Sequence, residues 1–327
     1  MQTRKLGDSD LDITTIGFGS WAIGGGDWKF GWGHQDDGHS AQVIHEAVEY
    51  GVNWIDTAPV YGHGHSEEVV GRALAEMPAA RRPMVFTKCG HPWDDKGDLH
   101  YSLKAADLRK ECEDSLRRLG VERIDLYQFH WPKPEEELEE GWQALQELKA
   151  EGKIRYAGVC NFSVEQMKKV TPIGPITSHQ MHYSLLRPNV ERDELPYCQE
   201  HGVGVLAYSP MGSGLLTGTM TREYLANLPD NDWRKKGHPH YQEPLLTRNL
   251  NLVDLLRRIG DKHGKIPGAT AVAWVLSHPG VTATILGARE PGQFHEPAAA
   301  ADWQLTPAEV TELRDFLTAN PAKAWGD

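Results

Sequence analysis

Eight short apolar runs recur along the chain, at residues 16–19 (IGFG), 54–58 (WIDTA), 85–88 (VFTK), 124–130 (IDLYQFH), 154–159 (IRYAGV), 176–180 (ITSHQ), 203–209 (VGVLAYS) and 282–287 (TATILG). Each has the length and near-continuous apolarity of a strand buried on both faces. Between them the apolar period lengthens. Leu108, Cys112, Ser115 and Leu119 share one helical face, and Leu138, Trp142, Leu145 and Leu148 share another. Helix starts are marked by capping boxes at Ser163 with Gln166 and at Thr306 with Glu309, the latter with Pro307 at the first helical position, and by Pro134 ahead of three glutamates. Eightfold strand–helix alternation predicts α/β architecture of one kind, a closed (β/α)8 TIM barrel, because crossovers are short and right-handed and eight strands close naturally. The expected organisation is a single barrel domain over 1–327. Leu6 and residues 11–13 flank the turn Gly7-Asp8-Ser9-Asp10 and predict an N-terminal hairpin that plugs one end. Two departures stand out: a polar stretch at 211–247, and two helical patterns in series at 250–263 and 269–277, which predict extra C-terminal helices.

Charge and composition narrow the function classes. With 34 Lys and Arg against 46 Asp and Glu, the net charge of -12 repels nucleic acid and anionic lipid alike. No run approaches the length of a membrane span and MQTRKLGDSD lacks the apolar core of a signal peptide, so the cytoplasm is the expected location, with no nucleic-acid or membrane partner. The four cysteines have no CxxC pairing, which predicts free thiols rather than a disulfide or zinc framework. Nothing in the pattern speaks to oligomeric state.

In a barrel, chemistry belongs at the carboxyl ends of the strands. There the sequence supplies Asp56 near the end of the second run, Tyr61 in the following loop, Lys88 closing the third and His130 closing the fourth. Their chemistry makes a set. An ammonium favours the ionised phenol, so Lys88 is expected to lower the pKa of Tyr61, while Asp56 keeps Lys88 charged. His130 would orient a substrate oxygen. A phenol so placed suits protonation of a forming alkoxide, and so reduction of a small-molecule carbonyl by hydride from a nicotinamide.

With these residues in view, the chain resembles the aldo-keto reductase superfamily, in the bacterial branches similar to potassium-channel β-subunits. The resemblance spans nearly the whole length through IGFGSWAIGG, GVNWIDTAPVYGHGHSEEVVGRAL, VFTKCG, DLYQFHWP, GVCNFS, HQMHYSLLRP, VLAYSPMGSGLLTG and ILGAREPGQFHE. It implies Tyr61 as proton donor, Asp56 and Lys88 as its tuning pair, His130 as the orienting residue, and NADP(H) extended across the barrel mouth. In that carry-over Gly19, Ser20 and Trp21 border the nicotinamide and Asp56 lies beside it. Asn161 and Gln180 hold the carboxamide and Tyr208 stacks on the ring. Ser209, Met211, Gly212 and Ser213 follow the pyrophosphate, and Arg289, Gln293 and Glu296 meet the adenosine end. Cys160 stands where the family has Ser, and Pro297 where it has Asn, which weakens one carboxamide and one adenine contact.

Three other readings compete. Gly17-Phe18-Gly19 begins like a Rossmann fingerprint, but GGGDWKFGWGHQDDG cannot supply the helix that must follow. His63 and His65 have metal-binding HxH spacing, as in a metal-dependent barrel hydrolase, yet sit in a Gly-rich loop. An NADPH-binding redox-sensing accessory subunit with slow turnover is the third. Residues 234–236 read as a solvated basic patch.

Overall fold

A computed structural model of the chain describes residues 1–322 apart from 27, 29, 30, 32, 229–233, 236 and 237; Lys236, in the basic patch, lies outside the described residues. A two-stranded antiparallel sheet opens the chain, β1 (Thr3–Lys5) and β2 (Asp12–Thr14), with Thr3 opposite Thr14. Eight parallel strands then close on themselves in chain order: β3 (Ile16–Gly19), β4 (Trp54–Asp56), β5 (Met84–Cys89), β6 (Ile124–Phe129), β7 (Ile154–Cys160), β8 (Ser178–His182), β9 (Gly204–Tyr208) and β10 (Ala283–Leu286), with β10 pairing back onto β3. The architecture is the expected (β/α)8 barrel.

The hairpin caps the amino-terminal end of the strands. Leu6, Leu11 and Ile13 are buried in one cluster with Trp54, Phe86, Leu126, Leu206 and Ala283, the side chains that fill the barrel interior. Trp54 donates its indole N–H to Thr14 O at 2.9 Å and packs on Phe86 with ring centroids 5.0 Å apart. So large a residue requires a small one opposite: a Cβ on Gly17 would lie 2.2 Å from the Trp54 ring. This packed floor leaves only the carboxyl-terminal mouth for chemistry.

The helices bury the faces the periodicity predicts. Leu108, Cys112, Ser115 and Leu119 are buried in the helix Ala105–Leu119, and Leu138, Trp142, Leu145 and Leu148 in the helix Leu138–Ala150. Both capping boxes form. Within the 211–247 stretch a short helix forms at Arg222–Ala226, and the next helix, Leu245–Asp261, starts ahead of the apolar pattern. Glu243 accepts hydrogen bonds from the Thr247 N–H and hydroxyl, and buried Asn249 donates to His240 O at 3.0 Å. Polar residues at this helix start are thus satisfied by local partners, four and nine residues away along the chain.

Candidate active site

Strand register brings the charged residues together. Asp56 ends β4, which pairs with β5, and Lys88 projects from β5 into the mouth with a side chain 1% exposed. The Lys88 Nζ donates to Asp56 Oδ2 at 2.6 Å, to Thr57 O at 3.0 Å and to Tyr61 Oη at 3.2 Å, which uses all three ammonium hydrogens. Burial alone would strip the proton from Lys88, but the Asp56 carboxylate, and beyond it Tyr61, outweigh that and hold its pKa above the ordinary value.

Because Lys88 is the donor to Tyr61, this contact leaves the phenol's own hydrogen unspent. The expected lowering of the Tyr61 pKa is not what the site produces. Burial pushes the phenol up to about 12; the Lys88 charge pulls the other way without cancelling the burial, and Asp56 adds to the rise. Tyr61 is therefore a protonated donor throughout the neutral range, and Lys88 limits its loss of acidity rather than making it acidic.

His130 follows β6, its N–H bonded to Cys89 O at 2.9 Å, and its ring meets Tyr61 edge-on at 5.8 Å. Burial, then the nearby Lys88 charge, hold its imidazole well below the usual pKa, so it is neutral and can share one N–H with an oxygen. His91 and Trp131 flank it at 6.1 and 6.4 Å, and His91 stacks on half-exposed Tyr101 at 4.5 Å. These rings, with Trp21 and Trp28 beside Tyr61, form an aromatic wall.

The residues assigned to the cofactor line the other side of the mouth. Gln180 donates from Nε2 to Asp56 Oδ1 at 2.7 Å, linking β8 across the barrel to the Asp56–Lys88 pair. Tyr208 donates its hydroxyl to Asn161 Oδ1 at 2.8 Å, and Asn161 donates to His130 O at 3.0 Å. His182 stacks behind Tyr208 at 5.1 Å. Neither the Gln180 link nor the place of His182 follows from the motifs; the alternation of side chains from Gln180, which puts His182 on the same strand face, is the signal the sequence carries for the latter. Of the four described non-glycine residues with left-handed φ, three lie here, Asn161 (60°), Ser209 (55°) and Ser213 (51°), along with Gly212 at 56°; the fourth is His63. Backbone strain gathered along one stripe is characteristic of a ligand cradle.

Gly19 and half-buried Trp21 border the mouth, whereas Ser20 is buried and its hydroxyl accepts from Ser66 at 2.7 Å. Met211 is half-buried beside Gly212. Arg289 donates from Nε to Gln35 Oε1 at 2.8 Å and from Nη2 to His34 O at 2.6 Å, while Gln293 Oε1 accepts the backbone N–H groups of Arg289 and Glu290. Glu296 is exposed, and Pro297 is buried in the short helix His295–Ala298. Cys160 is buried at the end of β7, its thiol pushed up by that burial with Lys88 pulling down.

His63 and His65 do not converge. His63 Nε2 contacts Gly97 O at 3.2 Å and its ring meets Trp93, while His65 Nε2 pairs with Asp37 Oδ1 at 2.8 Å. No metal-holding group of His, Cys, Asp or Glu occurs among the described residues, the four cysteines are free thiols, and no described helix is long and apolar enough to cross a membrane.

A closed barrel that gathers a phenol, a carboxylate–ammonium pair and a neutral imidazole at its strand ends defines an oxidoreductase of the barrel class that acts on carbonyl and alcohol groups. The chain belongs to the aldo/keto reductase family, whose model matches residues 15–318. It is 35% identical over 318 residues to aldo-keto reductase YhdN of Bacillus subtilis (strain 168), covering 97% of this chain and 94% of that protein. It is 33% identical over 332 residues to the NADH-specific methylglyoxal reductase of Escherichia coli (strain K12), covering 98% and 99%. Among solved structures, the glycerol dehydrogenase AKR11B4 from Gluconobacter oxydans matches with TM-score 0.90 at 40% identity over 98% of each chain. The holo form of aldo-keto reductase AKR11C1 from Bacillus halodurans matches with TM-score 0.78 at 28% identity over the full length of both.

Proposed function

We propose that this chain, acting as one barrel domain in the cytoplasm, is an NADP(H)-dependent reductase of small aldehydes or ketones, with Tyr61 as the proton donor. The observation that carries the reading is the Lys88 ammonium held between Asp56 Oδ2 and Tyr61 Oη, at 2.6 and 3.2 Å, beside a neutral His130. The mouth suits a nicotinamide dinucleotide: it offers the Tyr208 ring, the side-chain amides of Asn161 and Gln180, and the left-handed Ser209–Gly212–Ser213 stripe. The bound cofactor supplies the hydride. His130 and Tyr61 hold the carbonyl oxygen between them, Tyr61 gives it a proton as negative charge develops, and Lys88 supports the phenolate that remains. The aromatic wall around His130 keeps water from the reacting oxygen.

Consumption of NADPH strictly dependent on an added reactive aldehyde, with the corresponding alcohol as product and no loss after prolonged treatment with EDTA, is the expected behaviour. Loss on chelation with recovery on zinc would favour a hydrolase built on His63 and His65. NADPH binding with negligible turnover would favour a sensor.

Cofactor preference rests on Arg289, since only NADP(H) carries a 2′-phosphate. Its bonds to Gln35 and His34 hold the guanidinium in one place and so preorganise it for an anion. Wild type is expected to prefer NADPH, and Arg289→Ala to weaken NADPH binding by about 10- to 150-fold more than NADH binding, the range of a charge-assisted hydrogen bond. Equal losses in side-by-side titrations would mean that Arg289 serves the adenine or the loop instead.

A further inference from the structure

The residues assigned to the phosphates, Ser209, Met211, Gly212 and Ser213, are all uncharged, and Arg289 is tied at the adenosine end. An acidic chain that takes up a dinucleotide gains from a cation near the pyrophosphate. The turn after β8 brings one to this place. Arg187 N–H donates to Ser184 O at 2.9 Å, closing a tight bridge between these two residues. The start of this turn is anchored by His182 stacked on Tyr208, and its far side by Leu186, whose Cδ1 lies 2.5 Å from where a Cβ on Gly212 would be. The turn that carries Arg187 is thereby held against both the Tyr208 ring and Gly212 of the 209–213 stripe.

Arg187 is half-buried, and among the described residues its guanidinium has no hydrogen bond or ion pair. Several other arginines are paired, as Arg72 is with Asp37, Arg109 with Glu147 and Arg155 with Asp125. Glu194 feels the Arg187 charge without pairing to it. The Tyr208 phenol, which burial pushes up, is pulled back by Arg187 more strongly than by Lys88, and His182 is lowered by burial and then by Arg187. The guanidinium is thus close enough to Tyr208 and His182 for its charge to act on both, and among the described residues it has no hydrogen bond or ion pair.

We propose that Arg187 is a cofactor-binding residue that donates to a pyrophosphate oxygen, the group NADP(H) and NAD(H) share. The inference rests on the functional reading above and adds to it a residue outside the family-derived set. Binding can be read without turnover, by titrating protein fluorescence with NADPH, NADH and ADP-ribose. Arg187→Met, which keeps the stem and removes the donors, is expected to raise Kd for all three by a similar factor, about 10-fold or more, with the NADPH-to-NADH ratio unchanged. Arg187→Lys should recover part of the loss, as a point charge without the fork. Unaltered Kd values in a folded Arg187→Met would overturn the proposal. So would a loss confined to NADPH, which places the guanidinium on the 2′-phosphate, or a rise in KM only for a carboxylate-bearing aldehyde, which places it on substrate. Wild-type protein that binds none of the dinucleotides would overturn the functional reading and this inference with it, whereas intact wild-type binding with an insensitive Arg187→Met sinks the inference alone.

Discussion

Tyr61→Phe is expected to lower the rate of carbonyl reduction by about a hundredfold or more while leaving NADPH affinity nearly unchanged, the scale lost when a positioned general acid is removed. The substitution deletes one oxygen. Lys88 keeps its bonds to Asp56 and to Thr57 O, so the rest of the site stays in place. The phenol is raised to about 12 and so remains protonated across the neutral range; the wild-type reduction rate should not fall through loss of this proton as pH rises from neutral. The reverse reaction needs the phenolate and should quicken with pH until that ionisation. Stopped-flow single turnover with saturating NADPH separates chemistry from product release, and a Tyr61→Phe variant with the wild-type single-turnover rate would remove Tyr61 from the mechanism.

Lys88→Met is the second large effect, and it should appear in two measurements that separate. The rate should fall by about as much as for Tyr61→Phe, because nothing then opposes the effects of burial and Asp56 on the phenol. Stability should also fall, by about 3–5 kcal/mol, since Asp56 is left buried with, among the described residues, only the Gln180 amide for a partner. Adding Asp56→Asn removes the stranded charge. The double variant is therefore expected to regain much of the stability in denaturant titrations but none of the rate. If the rate returned with the stability, the pair would be a structural ion pair and the assignment of Lys88 to catalysis would be wrong.

Much of this protein is legible as a string. Strands buried on both faces must be apolar throughout, and helices covering them must carry an apolar stripe; both are local constraints, so the eight strands and the buried faces of Ala105–Leu119 and Leu138–Ala150 can be read from spacing. Asp56, Lys88 and His130 are legible for the same reason, since a polar group at the carboxyl end of an apolar run breaks a local rule, and such breaks concentrate at functional sites. The hairpin plug was legible in Leu6 and Ile13 beside a turn.

What the tertiary structure alone decided concerns which atoms meet, and how dry the place is where they meet. Barrel closure brings Gln180 to Asp56 across 124 positions of sequence, and Arg289 to His34 across 255; no periodicity encodes either pairing. The direction of the Tyr61 pKa was decided in the same way. Placement of Tyr61 and Lys88 at neighbouring strand ends argues for lowering, but the outcome depends on the balance of desolvation against a charge 3.2 Å away, and desolvation is set by how completely the surrounding loops and rings exclude water. The sequence by itself determined the elements, the end of the barrel that bears the chemistry and the residue types gathered there. The closed packing decided their hydrogen bonds and acidities, because those depend on distances and solvent exclusion that exist only once the strands have met.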